Sequence, residues 1–321
     1  MDDSEYKALV KEKLKLAPSW VQGFILISIP FCLLAVSIWL NTYGGALWVL
    51  GQIISIPAFL QLFVIVHEAG HNSLLPKTNA NIFIGNIASI FAVVPFFSWK
   101  LIHRQHHLLT GWRDRDPTTK IQVSPEAQNL NKVQKIINNV CWKLWIPLFS
   151  FYYRVGTYWN VKSILWAISN KADRVKIFIN ITLLIVFYVS CFYYHFEFIK
   201  NNLLIGFVIS LSIMDTVMLS QHSHIPMPVS EGKKVKNFSN RDQVQFTRSL
   251  IMPKYIAKYI FLNFNYHELH HLLPTLPCYY LDGIGLEFSN TENYFNWVRR
   301  AKKVNATTLV FSTRDKTNLN I

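Results

Sequence analysis

The stretch 46–71, ALWVLGQIISIPAFLQLFVIVHEAGH, runs uncharged and apolar from residue 46 to 66 and then delivers His67 and His71. Two histidines at i and i+4 share one face of a helix. A run long enough to cross a bilayer, ending on two imidazoles, predicts a membrane helix with a metal site at its mouth. The rest of the chain repeats this theme. Residues 103–107 read HRQHH and residues 267–271 read HELHH, so His103, His106, His107, His267, His270 and His271 also sit at helical spacing. Eight of the eleven histidines fall in these three clusters. Zinc usually takes four ligands, so this much imidazole argues for two metals. Imidazole also suits iron, copper or nickel, so ligand type alone does not choose the metal.

The charge distribution decides the class. The chain has 321 residues, is 51% hydrophobic and carries a net charge of +14. No Asp, Glu, Lys or Arg occurs from residue 16 to 67, and further uncharged stretches span 78–99, 177–196 and 201–214. The expected fold is an all-α integral membrane protein with about four transmembrane helices and a cytoplasmic helical cap holding a His-rich dimetal site. The predicted crossings are 20–40, 46–66, 176–195 and 203–220. Residues 41–45 form the first turn and 196–202 a short return loop. The stretch 78–99 is long enough to cross, but crossing would put His71 and His103 on opposite sides. It carries Asn79, Asn81, Asn86 and Pro95, and is read as re-entrant or lying along the interface. Segments 161–176 and 254–264 read as amphipathic interfacial pieces, and the polar residues beyond Leu286 as a soluble cap.

Counting charges gives the orientation. Residues 100–176 carry thirteen Lys and Arg against four Asp and Glu, and residues 221–321 another thirteen basic residues. The turns on the other side carry only Lys200 as a basic residue. Under the positive-inside rule the N-terminus, the middle loop, the C-terminal region and all three clusters are cytoplasmic. The basic balance therefore points to a lipid surface or an acidic protein partner, and no nucleic acid is expected. The charged first 15 residues do not read as a cleaved signal peptide. Cys32, Cys141, Cys191 and Cys278 are scattered and suggest neither a disulfide framework nor an iron–sulfur site.

Two further histidines, His222 and His224, follow the fourth crossing in the run QHSHIP, and one helix face does not favour both equally. His195 reads as an interface histidine. Asp215 falls late in the fourth crossing, where a carboxylate raises a suspicion of function.

The sequence resembles the membrane fatty acid desaturase superfamily, whose pattern is an HxxxH or HxxxxH box followed by two HxxHH-type boxes. The run NYHELHHLLP at 265–274 resembles the third box of acyl-lipid desaturases, and HRQHH with the trailing Asp116-Pro117 resembles the second. The match runs from the first crossing to about Leu281, and the chain 1–321 reads as a single domain of this type. The resemblance implies metal ligation by His67, His71, His103, His106, His107, His267, His270 and His271. It favours His224 as the ninth ligand. It also implies two iron ions, cycling between Fe2+ and Fe3+, with O2 as co-substrate and a lipid or acyl thioester as substrate. Zinc has no redox chemistry and does not serve for breaking an unactivated C–H bond. Glu68, Asp116 and Glu268 are expected to hydrogen-bond ligand N–H groups.

Desaturation of one C–C bond supplies two electrons, and reducing O2 to water takes four. The chain has no GxGxxG, no CxxC cluster and no HPGG haem box. The missing electrons are expected from a separate donor of cytochrome b5 or ferredoxin type. Two rival readings remain. Hydroxylases and ketolases of the same superfamily use similar boxes. HEAGH is also an HExxH zinc-protease motif, with Glu68 as base and Asp282 in Leu281-Asp282-Gly283 as third ligand, but that reading leaves both HxxHH clusters without a role.

Overall fold

The computed structural model describes residues 3–13, 15–124, 129–284 and 288–321. Its helices in chain order are α1 (Asp3–Lys13), α2 (Trp20–Asn41), α3 (Gly45–His71), α4 (Thr78–Ala92), α5 (Phe96–Leu109), α6 (Lys132–Lys143), α7 (Leu148–Tyr153), α8 (Val161–Ala167), α9 (Lys171–Asn202) and α10 (Leu204–His222). The short helices α11 (Asn240–Gln243), α12 (Lys254–Tyr259) and α13 (His267–Leu272) follow, then α14 (Tyr294–Lys303), α15 (Ala306–Phe311) and α16 (Arg314–Thr317). The described strands are β1 (Leu250–Ile251) and β2 (Glu292–Asn293), paired in parallel. The protein is helical, as the sequence predicts.

Four helices, α2, α3, α9 and α10, are long and apolar enough to cross a membrane. They carry the four predicted crossings, with one change of boundary. Residues 196–202 are not a loop: α9 continues to Asn202, bent at His195, whose φ is −132° and ψ 26°. The run lacks a Gly or Pro to stop the helix, so it stays wound until Leu203. The first turn is as read, with Gly44 and Gly45 both at positive φ, a conformation open to glycine at little cost. Outward faces of the spans remain apolar: Phe24 and Ile25 on α2, and Leu183 and Val186 on α9, are exposed. Hydrocarbon is the solvent that makes such a surface stable.

The stretch 78–99 is a helix, a break and a second helix. α4 ends at Ala92, Val93 turns left-handed at φ 55°, and α5 starts at Phe96 behind Pro95. The two axes are bent by 100°. At 1.5 Å per residue α4 reaches roughly 22 Å, short of the ~30 Å hydrocarbon core. The bend carries the chain back to the end of α3, where it left. Polar groups in the stretch are satisfied. Asn81 Oδ1 accepts from Leu75 N at 3.1 Å, and Asn180 Nδ2 donates to Asn86 Oδ1 at 3.0 Å. The freed carbonyls of Ala92 and Val93 accept from Arg154 Nε and Trp159 Nε1.

The chain after α10 packs over the same end. Arg248 donates to Ser220 O at 2.7 Å and to Ile321 O at 2.8 Å. Trp142 Nε1 donates to Ala301 O at 3.0 Å, and Trp297, Ala306 and Leu309 are fully buried. The predicted tail boundary at Leu286 lies outside the described residues. The segment from 288 onward is a packed layer, since its helices bury one face against α6 and the region around Arg248.

Gly85 marks how closely α4 and α5 approach: a Cβ there would overlap the Phe96 ring. Gly85→Leu should push Phe96 and the whole of α5 aside, destabilising the protein by about 1–3 kcal/mol. A thermal melt in detergent reads this. An unchanged melting temperature would show that the α4–α5 corner is loosely packed.

Candidate metal centre

Four separate helix ends bring histidines to one place. α3 presents His67 and His71 on its last turn, and Asn72, left-handed at φ 59°, stops it there. α5 brings His103, His106 and His107, and α13 brings His267, His270 and His271. The fourth contributor is His222, the last residue of α10.

The nitrogens fall into two groups. His67, His71, His103 and His270 form one, and His106, His222, His267 and His271 the other, with the ligand atoms of each group within 4.8 Å of one another. Nitrogens about 2.1 Å from a shared ion spread over about 4 Å, close to this separation. His107 lies between the groups. Its Nε2 is 3.1 Å from His103 Nε2 and 3.0 Å from His270 Nε2, and its ring centre is 4.4 Å from that of His271.

Hydrogen bonds outside the groups fix which nitrogen of each ring faces inward. His106 Nδ1 donates to Asp116 Oδ2 at 2.7 Å, and His67 Nδ1 donates to Glu68 Oε1 at 3.0 Å. His222 Nδ1 donates to the Phe246 carbonyl at 3.1 Å. His271 Nδ1 donates to Gln243 Oε1 at 3.0 Å, while Gln243 Nε2 donates to His107 O at 2.6 Å, which settles the amide's orientation. With the proton on Nδ1, each Nε2 keeps a lone pair pointing into the cluster. His271 Nε2 and His71 Nε2 are buried with no hydrogen-bond partner. One such orphaned acceptor lies in each set of four converging rings, and a pair of cations would satisfy both.

The sequence expectation fails at one ligand and at one supporting carboxylate. The structure brings His67, His71, His103, His106, His107, His267, His270 and His271 together but leaves His224 out. His224 lies beyond the end of α10 at φ 64°, and its Nε2 is 2.8 Å from Thr317 Oγ1. The helix continues through His222, one turn after Met218, and both line the same chamber. The signal was the i, i+4 spacing of Met218 and His222. Glu68 and Asp116 bond ligand rings as expected, but Glu268 does not. Its carboxylate accepts from Ser249 N, Thr291 Oγ1 and Asn290 N, anchoring the start of α13. Gln243 and the Phe246 carbonyl take supporting roles that no motif announced.

Asp282 accepts from Lys258 Nζ at 3.1 Å and belongs to neither histidine group. The Glu68 carboxylate is occupied by His67, Ser73 and the Cys278 N–H. Neither residue is placed for a zinc protease.

Beside the histidines lies a small chamber of about 40 Å³, walled by Phe63, Trp99, Tyr153, Tyr158, Met218 and Phe264 as well as by the rings themselves. Burial, followed by repulsion from neighbouring imidazoles, holds His267, His270 and His271 well below their ordinary value. They are neutral and free to act as ligands. Burial alone would push the Asp116 carboxyl up, but His106 beside it and the Thr118 N–H bring it below the usual carboxylate range.

The fatty acid desaturase family profile matches residues 43–287, and the chain belongs to that family. An acyl-lipid (9+3)-(E)-desaturase of Dimorphotheca sinuata is 24% identical over 241 residues, which are 68% of this chain and 60% of that protein. An endoplasmic-reticulum omega-6 fatty acid desaturase of Brassica juncea is 23% identical over the same shares of each chain. An sn-1 acyl-lipid omega-3 desaturase (ferredoxin) of Nostoc sp. (strain 36) is 30% identical over 93 residues, covering 29% of this chain and 26% of that protein. The chain thus aligns with about 60% of the length of the two plant relatives.

The depressed histidines set a pH dependence. Unfolded, each binds a proton below its ordinary value of 6.5; folded, it does not. Protons therefore favour the unfolded state, and stability present above 6.5 is lost as pH falls. Metal-stripped protein should melt at progressively lower temperature below that pH, as differential scanning in detergent would record. A flat profile would mean the rings are not buried as neutral groups.

Proposed function

We propose that this chain is an O2-dependent diiron desaturase that removes two hydrogens from adjacent carbons of a fatty acyl chain carried on a lipid or acyl thioester. The observation that carries the reading is the pair of four-histidine groups, with lone pairs turned inward, beside an apolar-walled chamber. His67, His71, His103 and His270 would hold one iron, and His106, His222, His267 and His271 the other, with His107 shared between them. Bound iron supplies the redox chemistry with O2 that abstraction from an unactivated C–H bond requires. The chain's own residues hold, orient and shield. Asp116, Glu68, Gln243 and the Phe246 carbonyl fix the ring orientations through Nδ1. Phe63, Trp99, Met218 and Phe264 keep the chamber apolar, which suits an alkyl segment and limits water.

Each turnover consumes one O2, two hydrogens of the substrate, two protons and two electrons, and releases two waters. The two electrons come from a separate donor of cytochrome b5 or ferredoxin type, a class supported by the word ferredoxin in the name of the Nostoc relative. The donor docks on the basic cap. The excess of Lys and Arg on both long non-spanning regions supports a cytoplasmic site, with both termini on that side. Residues 1–321 act as one domain.

Lipid mass spectrometry on cells expressing the wild type beside His271→Ala tests the reaction. The wild type should yield a lipid lacking two hydrogens that the variant does not make. A product gaining one oxygen would make the enzyme a hydroxylase of the same superfamily, and an active His271→Ala would overturn the diiron reading.

Metal analysis tests the ligand set separately. Wild type and His224→Ala should both carry about two irons per chain, while His222→Ala should lose roughly one. Equal iron in the two variants would return the ninth position to doubt.

A further inference from the structure

The chamber is connected, wall to wall, with two more cavities, and one side chain borders all three. A groove of about 360 Å³ between α6, α7 and α15 is lined by Ile137, Leu148, Phe149, Tyr152, Tyr153 and Phe311, among others. A second, narrow cavity of about 20 Å³ lies behind it and shares Phe149 and Tyr153. That cavity in turn shares Phe63, Tyr153, Tyr158 and Met218 with the histidine chamber. Tyr153 is thus common to the groove, the middle cavity and the chamber. Gln122, a buried residue, lines the chamber wall together with it.

The backbone is shaped for this junction. A π-helical turn, Arg154–Tyr158, follows α7 directly. In an α-helix, Tyr153 and Tyr158 would point about 140° apart. The wider turn brings both to the same chamber, and such turns often occur at functional sites. The middle cavity is not uniformly apolar, since Arg154 and Asp215 border it. Arg154 is satisfied by the carbonyls of Ala92 and Ser150. Phe63, Met214 and Met218 supply the apolar side of the passage.

The outer mouth of the groove faces an unusual helix. α6 begins with a capping box at Asn131 and Gln134, so it is a well-formed helix. Its apolar residues Val133, Ile136, Ile137 and Val140 fall at i, i+3, i+4 and i+7, yet all are exposed. Leu144, Trp145 and Ile146 extend this exposed surface, and Phe151, Tyr152 and Val155 continue it past α7. Lys132, Lys135 and Lys143 flank it. An apolar stripe with basic flanks, uncovered by protein, is the pattern of a helix lying in a bilayer interface. The groove therefore opens where lipid acyl chains are.

We propose that the groove under α6 is a lateral door through which the acyl chain of a bilayer lipid reaches the histidines, with Tyr153 as its gate and a positioning residue for the chain. This rests on the desaturase reading for the reaction but on the cavities alone for the path. Tyr153 borders the narrow middle cavity through which groove and chamber are joined. A chain that enters swings this ring, and the side-chain volume at 153 then sets how far the chain advances past the irons' site.

The test uses full-length protein in nanodiscs containing a phosphatidylcholine with an alkyl diazirine in its acyl chain. Photolysis should label peptides covering α6 and α7, and excess unlabelled phosphatidylcholine should suppress the labelling. In cells, Ile137→Trp, which fills the groove, should cut the desaturated product by roughly tenfold at unchanged iron content and melting temperature. Ile185→Trp, equally exposed on α9 but remote from the groove, should leave the product unchanged. Tyr153→Leu, which reduces the side-chain volume at the junction, should shift the preferred chain length or the position of the new double bond. No labelling in the groove together with wild-type product from Ile137→Trp overturns the door. If the wild type makes no dehydrogenated lipid, the desaturase reading fails instead. The labelling then still decides whether an alkyl chain occupies the groove.

Discussion

Hydrogen bonds from the outer nitrogens of four imidazoles are the constraint on which the rest of the structure depends. A neutral histidine carries one proton and one lone pair, and whichever nitrogen donates outward leaves the other bare. Asp116, Glu68, Gln243 and the Phe246 carbonyl take the Nδ1 protons of His106, His67, His271 and His222. Removing these acceptors would let the rings flip or donate to one another, and the inward lone pairs would be lost. The partners are not interchangeable. Asp116 and Glu68 bring charge, which makes the attached ring a stronger donor to metal. Gln243 and Phe246 bring only a dipole. Each of the two metal groups contains at least one ring backed by a carboxylate, so both positions receive some negative charge in an otherwise neutral shell.

Such an arrangement places demands on the backbone far from the rings. His71 and His103 must meet at one membrane face although a long apolar stretch separates them. The left-handed Val93 and the 100° bend achieve this by folding the stretch back on itself. A bend in an apolar environment frees carbonyls, which cost several kcal/mol each if left unpaired. Arg154 and Trp159 meet that demand from the region around α7. The same short region thus closes the α4 corner, walls the chamber through Tyr153 and Tyr158, and forms the inner side of the groove. Its π turn is understandable on these terms, because three surfaces have to be served within a few residues.

What the sequence disclosed, and what it hid, follows from the range of the interactions. Uncharged runs fix spans because each residue contributes independently to transfer into hydrocarbon, and all four crossings were legible for that reason. The three histidine boxes were legible because i, i+3 and i+4 spacing is a local geometric fact. His222 and His224 differ only in where α10 ends. That end depends on tertiary contacts around Phe246 and Thr317, which lie far along the chain, whereas the family resemblance favoured His224, which lies outside both histidine groups. Glu268 was expected beside a ligand ring because it is adjacent in sequence. On a helix adjacent residues face different ways, and its carboxylate instead ties α13 to Ser249 and Thr291. Gln243 could not have been found by pattern, since a single glutamine ending the four-residue helix α11 carries no periodic signal.

The supporting groups also show where the site's rigidity originates. The spans deliver His67, His71 and His222, but several of the groups that orient the rings lie outside the spans. Asp116 follows α5, and Gln243 and Phe246 sit in the segment after α10. Those segments are in turn fastened by buried arginines. Arg113 donates to Val310 O at 3.2 Å, and Arg248 reaches Ser220 O and Ile321 O. Each guanidinium donates to backbone carbonyls, and nearby carboxylates, Asp315 for Arg113 and Glu292 and Glu268 for Arg248, support its charge. The membrane helices set the position of the site, and the cap sets its precision. The proposed dimetal site would need both, because misplacement by about 1 Å can cost a hundredfold in rate. A cap clamped by carbonyls keeps the rings aligned while the apolar side of the chamber stays free to admit a chain.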